Sequence, residues 1–196
     1  MNNTFLETIK VFEGEIFHLS YHQARYESVL KHFNVEAVQD LGDFITPPEN
    51  GLYRCRFVYD TKGCTQTTYH PYQKREINAL KMLHDDTIEY AMKYANRERL
   101  DALFAQRGDA DDVLIIKNGF VTDTTIANIA FFDGKRWLTP ASPLLEGTTR
   151  QRLLDEAKIV EEEIRIQDVA RFKQVALMNA MVDFAIIPKN PKELFC

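Results

Sequence analysis

The sequence predicts a mixed α/β protein, and three observations lead there. Period-two alternation of apolar and polar residues recurs in short runs, such as residues 5–12 (FLETIKVF) and 52–59 (LYRCRFVY). Helical spacing appears between such runs, in YHQARYESVLKHF and again at Leu100, Leu103 and Phe104. A length of 196 residues is enough to bury a sizeable core in one large domain or two small ones.

Composition narrows the function classes. Apolar residues make up 45% and charged residues 27%, as in ordinary globular proteins. A net charge of −5 without a basic stripe gives no electrostatic reason to expect nucleic acid. No run approaches a membrane span, and MNNTFLETIK lacks the apolar core of a signal peptide. Cys55, Cys64 and Cys196 are odd in number and show no metal-ligand spacing, which suits a reducing cytoplasm and predicts no metal. Cys55 and Cys64 flank a hairpin and either face each other or stand as free strand cysteines.

In chain order, residues 5–12 form a strand, Glu13-Gly14-Glu15 turns the chain, and residues 16–19 return as its partner. Ser20 opens a helix with Gln23 three residues on, the spacing of a capping box. His22 and Arg25 occupy neighbouring positions of one face in its first turn. Arginine near a helix N-terminus opposes the dipole, so a compensating anion is expected there. After the loop TPPENG, residues 52–59 form a strand with Tyr53, Cys55, Phe57 and Tyr59 on one face. Arg54, Arg56 and Val58 take the other face; the two arginines either receive a substrate carboxylate or lie on a half-exposed sheet. Residues 64–72 (CTQTTYHPY) return as a second strand, which Pro71 ends or confines to an edge. His70, beside Pro71 and two tyrosines, reads as structural or as an acid–base candidate. Residues 77–84 cross toward the second half, and the domain boundary falls near Lys93, dividing 1–92 from 93–196.

Lys93 then opens a short amphipathic helix, residues 113–116 form a buried strand, and Asn118-Gly119 makes a hairpin turn. Asp123 lies in the run TDTTIAN, which leads into a second apolar strand. Asp133-Gly134 turns again, residues 135–139 form a strand, and the loop PASPLLEG precedes a helix beginning TTRQ. Unpaired amides and the dipole's positive end at Gly147-Thr148-Thr149 suit an anion, the alternative being a plain N-cap. Residues 160–166 form a strand, 167–172 a short helix, and 175–188 a strand pair interrupted by Asn179-Ala180-Met181.

Taken together and in order, H-x-x-R (His22, Arg25), K-x-x-N-R (Lys93, Asn96, Arg97), G-F-V-T-D (Gly119 to Asp123), A-N-I (Ala127, Asn128, Ile129), L-E-G-T-T-R (Leu145 to Arg150) and N-A (Asn179, Ala180) resemble the class IV aminotransferases. These are the fold-type IV pyridoxal phosphate (PLP) enzymes, which include branched-chain and D-amino-acid aminotransferases and aminodeoxychorismate lyase. K-x-x-N-R and N-A stand nearest the lyase branch. The resemblance implies a small N-terminal α/β sandwich, a C-terminal barrel-like α/β domain, a homodimer, and the cofactor in the cleft between domains.

It also implies roles. Lys93 carries PLP as a Schiff base and acts as the catalytic amine, for which its pKa must fall below the free value of about 10.4. Asp123 pairs with the pyridine nitrogen, and Arg25 with the amides of Thr148 and Thr149 grips the phosphate. Ala127, Asn128, Gly147, Asn179 and Ala180 complete the cofactor contacts, and Arg54 and Arg56 are candidates for the substrate carboxylate. An amino acid or amino-bearing carboxylate is the implied substrate. The reaction is pyruvate elimination from aminodeoxychorismate or transamination with a keto acid; a non-catalytic PLP-binding relative is a further alternative. Asp123 stands where the family usually has glutamate, one methylene longer.

Overall fold

A computed structural model describes residues 4–63 and 65–195, which pack as two compact units. The first comprises the described residues up to Lys74 together with Met92–Asn96; the second comprises Arg75–Ala91 and the described residues from Arg97 onward.

In the first unit, β1 (Thr4–Phe12), β2 (Glu15–Ile16), β3 (Leu52–Asp60) and β4 (Thr65–Pro71) form an antiparallel sheet in the order β2-β1-β3-β4. β1 and β3 pair along their full length, from Thr4 opposite Asp60 to Phe12 opposite Leu52. Helix α1 (Leu19–His32) lays Tyr26, Val29 and Leu30 against Phe5, Phe57 and Tyr59, which form the core. The alternation expected for β3 is present: Cys55, Phe57 and Tyr59 are buried, Arg56 is half-buried and Arg54 is exposed. Pro71 ends β4, the outermost strand, where its missing N–H costs no ladder bond. Cys55 lies opposite Tyr69, and burial pushes its thiol up to about 11, as expected of an unreactive core residue. Cys64 lies outside the described residues, so its relation to Cys55 does too.

Two local expectations are corrected. The returning strand 16–19 shrinks to Glu15–Ile16, because His18 turns left-handed (φ 54°) and starts α1 at Leu19. Ser20 therefore falls inside the first turn, and no side chain caps the helix. Gln23 does not complete a capping box; its amide instead accepts from the Leu41 N–H and donates to Glu27.

The second unit is built on strands β5 (Leu80–His84), β6 (Asp112–Lys117), β7 (Phe120–Thr124), β8 (Asn128–Phe132), β9 (Trp137–Pro140), β10 (Ile159–Glu162), β11 (Gln174–Asn179) and β12 (Asp183–Ile187). They run in the order β10-β9-β8-β7-β6-β5, with β11 joined to β8 and β12 to β11. Residues 77–84 thus contribute a strand of this sheet, β5, parallel to β6. Parallel pairs need a crossover: α2 (Glu98–Ala105) lies between β5 and β6, and α3 (Thr148–Asp155) between β9 and β10. β6 is buried over Asp112–Ile116, as suits a strand covered on both faces. Asn118 and Gly119 both take positive φ (52° and 80°), the conformation that a two-residue turn between β6 and β7 demands. Leu80, Leu114, Ile116, Ile129, Phe131, Val175 and Leu177 form the core, and a final turn of helix, α4 (Pro191–Leu194), is capped by Asn190. Among the described residues, no helix is long and apolar enough to cross a membrane.

Candidate active site

In the first unit His22 and Arg25 meet at one buried acid. β1 alternates Phe5, Glu7, Ile9 and Val11 toward the core, and Glu7 is fully buried there. Its Oε1 accepts from Arg25 Nε at 2.8 Å, and its Oε2 accepts from Arg25 Nη2 at 2.5 Å and His22 Nδ1 at 2.6 Å. Burial pushes the Glu7 carboxyl up; the Arg25 charge and the His22 and Arg25 hydrogen bonds overcome it and bring the pKa down to about 2. Burial, joined by the charges of Arg25 and Lys93, lowers the His22 pKa against the hydrogen bond and charge of Glu7; with the carboxylate as acceptor, the contact puts a proton on Nδ1. The anion expected near the α1 N-terminus is therefore a side chain of β1. The sequence signal for it was an acid on the apolar face of an alternating strand.

Lys93 does not open a helix. β2 pairs only with Val11 and Phe12, leaving the other end of that edge of β1 to be satisfied. The segment around Lys93 takes it: Leu6 N–H donates to Lys93 O (2.9 Å), Ala95 N–H donates to Thr4 O (2.7 Å), and Tyr94 bridges Phe5. α2 begins five residues later, at Glu98. Lys93 is half-buried, and its charge is close enough to act on His22.

The second unit holds the acid. Asp123 on β7 is 5% exposed and lies opposite Asn128 on β8. Asn128 Nδ2 donates to Asp123 Oδ1 and to Leu145 O, both at 2.8 Å, and the Leu145 N–H donates to Asp123 Oδ2 at 2.9 Å. Burial pushes the Asp123 carboxyl up to about 6, against these hydrogen bonds and the charge of Arg150. Gly147 leaves the space that Asn128 needs, since a Cβ there would lie 2.0 Å from Asn128 Oδ1. Its φ of −72° suits any residue, so space alone selects glycine. Gly147→Ala is expected to displace Asn128 and destabilise the protein by about 1–3 kcal/mol in chemical denaturation. A loss below about 0.5 kcal/mol would show that Asn128 is not confined.

Thr148 and Thr149, both buried, open α3, and no side chain caps it. A helix start of this kind leaves amides suited to an anion. Arg150 turns inward to Pro140 O and Glu161 and fastens the first turn of α3 to β9 and β10. Asn179 serves the turn between β11 and β12, accepting from the Met181 and Val182 amides while its Nδ2 reaches Ile126 O; Ala180 follows, half-buried. Ala127, buried, closes a tight turn with Thr124. Sequence reasoning overlooked a brace beneath that turn: Arg97 Nη2 donates to Thr125 O, and the Thr125 hydroxyl donates to buried Asp112. Arg54 and Arg56 lie opposite Lys10 and Thr8 on the far face of the first sheet from its core, and His70 is exposed beside Thr68.

These features fit PLP by charge and donor set. Asp123 is a buried acid held in place by Asn128 and the Leu145 N–H, Arg25 is a fixed cation, and α3 starts without a side-chain cap. Residues 65–189 match the family described as Amino-transferase class IV. An uncharacterised protein of Haemophilus influenzae is 41% identical, over 89% of this chain and 96% of its own. A structure from Haemophilus somnus 129PT, provisionally named a 4-amino-4-deoxychorismate lyase, is 35% identical with a TM-score of 0.85, over 91% of this chain and 96% of its own. A PLP-bound hypothetical aminotransferase from Mycobacterium tuberculosis shares the fold at 18% identity (TM-score 0.77, covering 94% of this chain and 80% of its own). The chain belongs to the class IV aminotransferases and has their fold type IV.

Proposed function

We propose that the protein is a PLP-dependent enzyme that eliminates pyruvate from an aminodeoxychorismate-like amino-bearing carboxylate. Asp123 carries this reading: a buried carboxylate at the acid position of the family's hairpin, oriented by two donors. When bound, PLP supplies the electron sink for charge developing at the substrate α-carbon. Lys93 would hold the cofactor's aldehyde carbon through its amine and, once freed by the substrate amine, would take the α-proton and deliver it to the departing fragment as its C–O bond breaks, so that the fragment leaves as pyruvate. Asp123, ionised, keeps positive charge on the pyridine nitrogen. Arg25 and the Thr148 and Thr149 amides hold the phosphate, with Gly147, Asn128, Ala127, Asn179 and Ala180 shaping the surrounding turns. The substrate carboxylate is not assigned to Arg54 or Arg56, which lie on the opposite face of the first sheet from Glu7 and Arg25. The lyase-named relative at 35% identity supports elimination.

The test gives purified protein aminodeoxychorismate alone, then amino donors with 2-oxoglutarate or pyruvate. Pyruvate release without an acceptor supports elimination, whereas conversion of the keto acid selects transamination, the second reading within the family. Asp123 in place of the family's glutamate favours a third reading, a non-catalytic PLP-binding relative. That reading requires that no substrate α-proton exchange in deuterated water. The proposal includes a homodimer, to be checked by sedimentation, and a cytoplasmic setting, supported by the free thiol of Cys55.

A further inference from the structure

We propose that Glu7 is a positioning residue for the anion site, presetting the Arg25 guanidinium to receive the cofactor phosphate; this rests on the reading of Arg25 given above. Glu7 grips Arg25 along one edge, through Nε and Nη2, from a fully buried position in the middle of a paired strand. A two-point contact from an immobile carboxylate fixes the guanidinium plane, and covalent geometry then aims the Nη1 side away from Glu7. His22 holds the same carboxylate from the other side through Nδ1, so the acid cannot swing with the arginine. The Arg25 side chain is 14% exposed while that of Glu7 is 0% exposed: the cation reaches outward and its anchor does not. Tyr59 Oη is buried beside this group without a hydrogen-bond partner among the described residues.

Stability alone does not account for the arrangement. Replacing a buried ion pair by well-packed apolar residues is often neutral or stabilising, and Glu7 sits in an otherwise apolar row of Phe5, Ile9 and Val11. Orientation does account for it. An arginine that must meet a phosphate with a defined edge gains from having its other edge fixed beforehand, because less freedom is lost on binding.

The test compares PLP with pyridoxal, which shares the aldehyde and ring but lacks the phosphate. Both are titrated into cofactor-stripped protein, and the ratio of their affinities is the readout. Glu7→Asp keeps the charge and retracts the carboxylate; it is expected to lower the PLP preference about tenfold with pyridoxal affinity unchanged. Arg25→Lys keeps a cation that cannot be held or presented as a fork, and the same drop is expected. Circular dichroism and melting check folding; should Glu7→Asp fail to fold, Glu7→Gln, which keeps the side chain's shape but not its charge, takes its place with the same expected drop. Arg25→Met separates the layers of the argument. If it loses the PLP preference while Glu7→Asp and Arg25→Lys keep the wild-type ratio, the positioning role is overturned and the phosphate role of Arg25 stands. If Arg25→Met itself keeps the wild-type ratio, Arg25 does not hold the phosphate and both fall. An equal loss for PLP and pyridoxal in Glu7→Asp marks a purely structural role and also overturns the proposal.

Discussion

Lys93→Ala is expected to give a folded protein that binds PLP only weakly and turns over at least about 10²–10⁴-fold more slowly, the range that a positioned base contributes. Borohydride treatment should fix the cofactor to the wild-type chain, with the added mass on the peptide containing Lys93, and leave the variant unlabelled. Folding should survive because residues 92–96 are tied to β1 through backbone groups, Leu6 N–H to Lys93 O and Ala95 N–H to Thr4 O, which alanine retains. Labelling of the variant at another lysine would remove Lys93 from the mechanism.

The second large effect is at Asp123. Asp123→Asn is expected to lower turnover about 10²–10³-fold, the usual loss when one preorganised electrostatic partner is removed, while the cofactor remains attached. The same variant tests the electrostatics in cofactor-free protein. Burial raises the folded-state pKa to about 6, against about 3.9 for an unfolded aspartate. Between those values the folded chain binds more protons than the unfolded one, so stability from this group is present at low pH and lost as pH rises. The loss amounts to about 3 kcal/mol by pH 7. Wild type should therefore lose that much relative to Asp123→Asn between about pH 4 and 7, read from denaturant midpoints. Parallel stability curves for the two proteins would contradict the burial argument. Glu7 has the opposite sign: its lowered pKa of about 2 gives stability present above the ordinary glutamate range and lost on acidification.

Most of the fold was legible because its signals are local. The alternation of β3, the Asn118-Gly119 turn and the helix start after Gly147 each depend on residues adjacent in sequence. What was misread depends on partners far along the chain. Lys93 precedes a helical pattern, but an unfilled edge of β1, nearly ninety positions earlier, captures it as extended chain. Ser20 and Gln23 have capping-box spacing, yet Leu41 and Glu27 claim the glutamine. In the candidate site, Arg25 and Asp123 could be found from motifs, while the roles of Glu7 and Asp112 could not, since each acts through a long-range hydrogen bond. Glu7 did leave a trace, as a charge where alternation calls for an apolar side chain.

The strand-like tether of residues 92–96 also governs how the amine of Lys93 can travel. With its carbonyl committed to Leu6 and the flanking Ala95 amide to Thr4, the Cα is a stationary pivot. Any excursion of the nitrogen is then a swing of the four-carbon stem alone, on the fast timescale of side-chain rotation rather than the slower one of loop rearrangement.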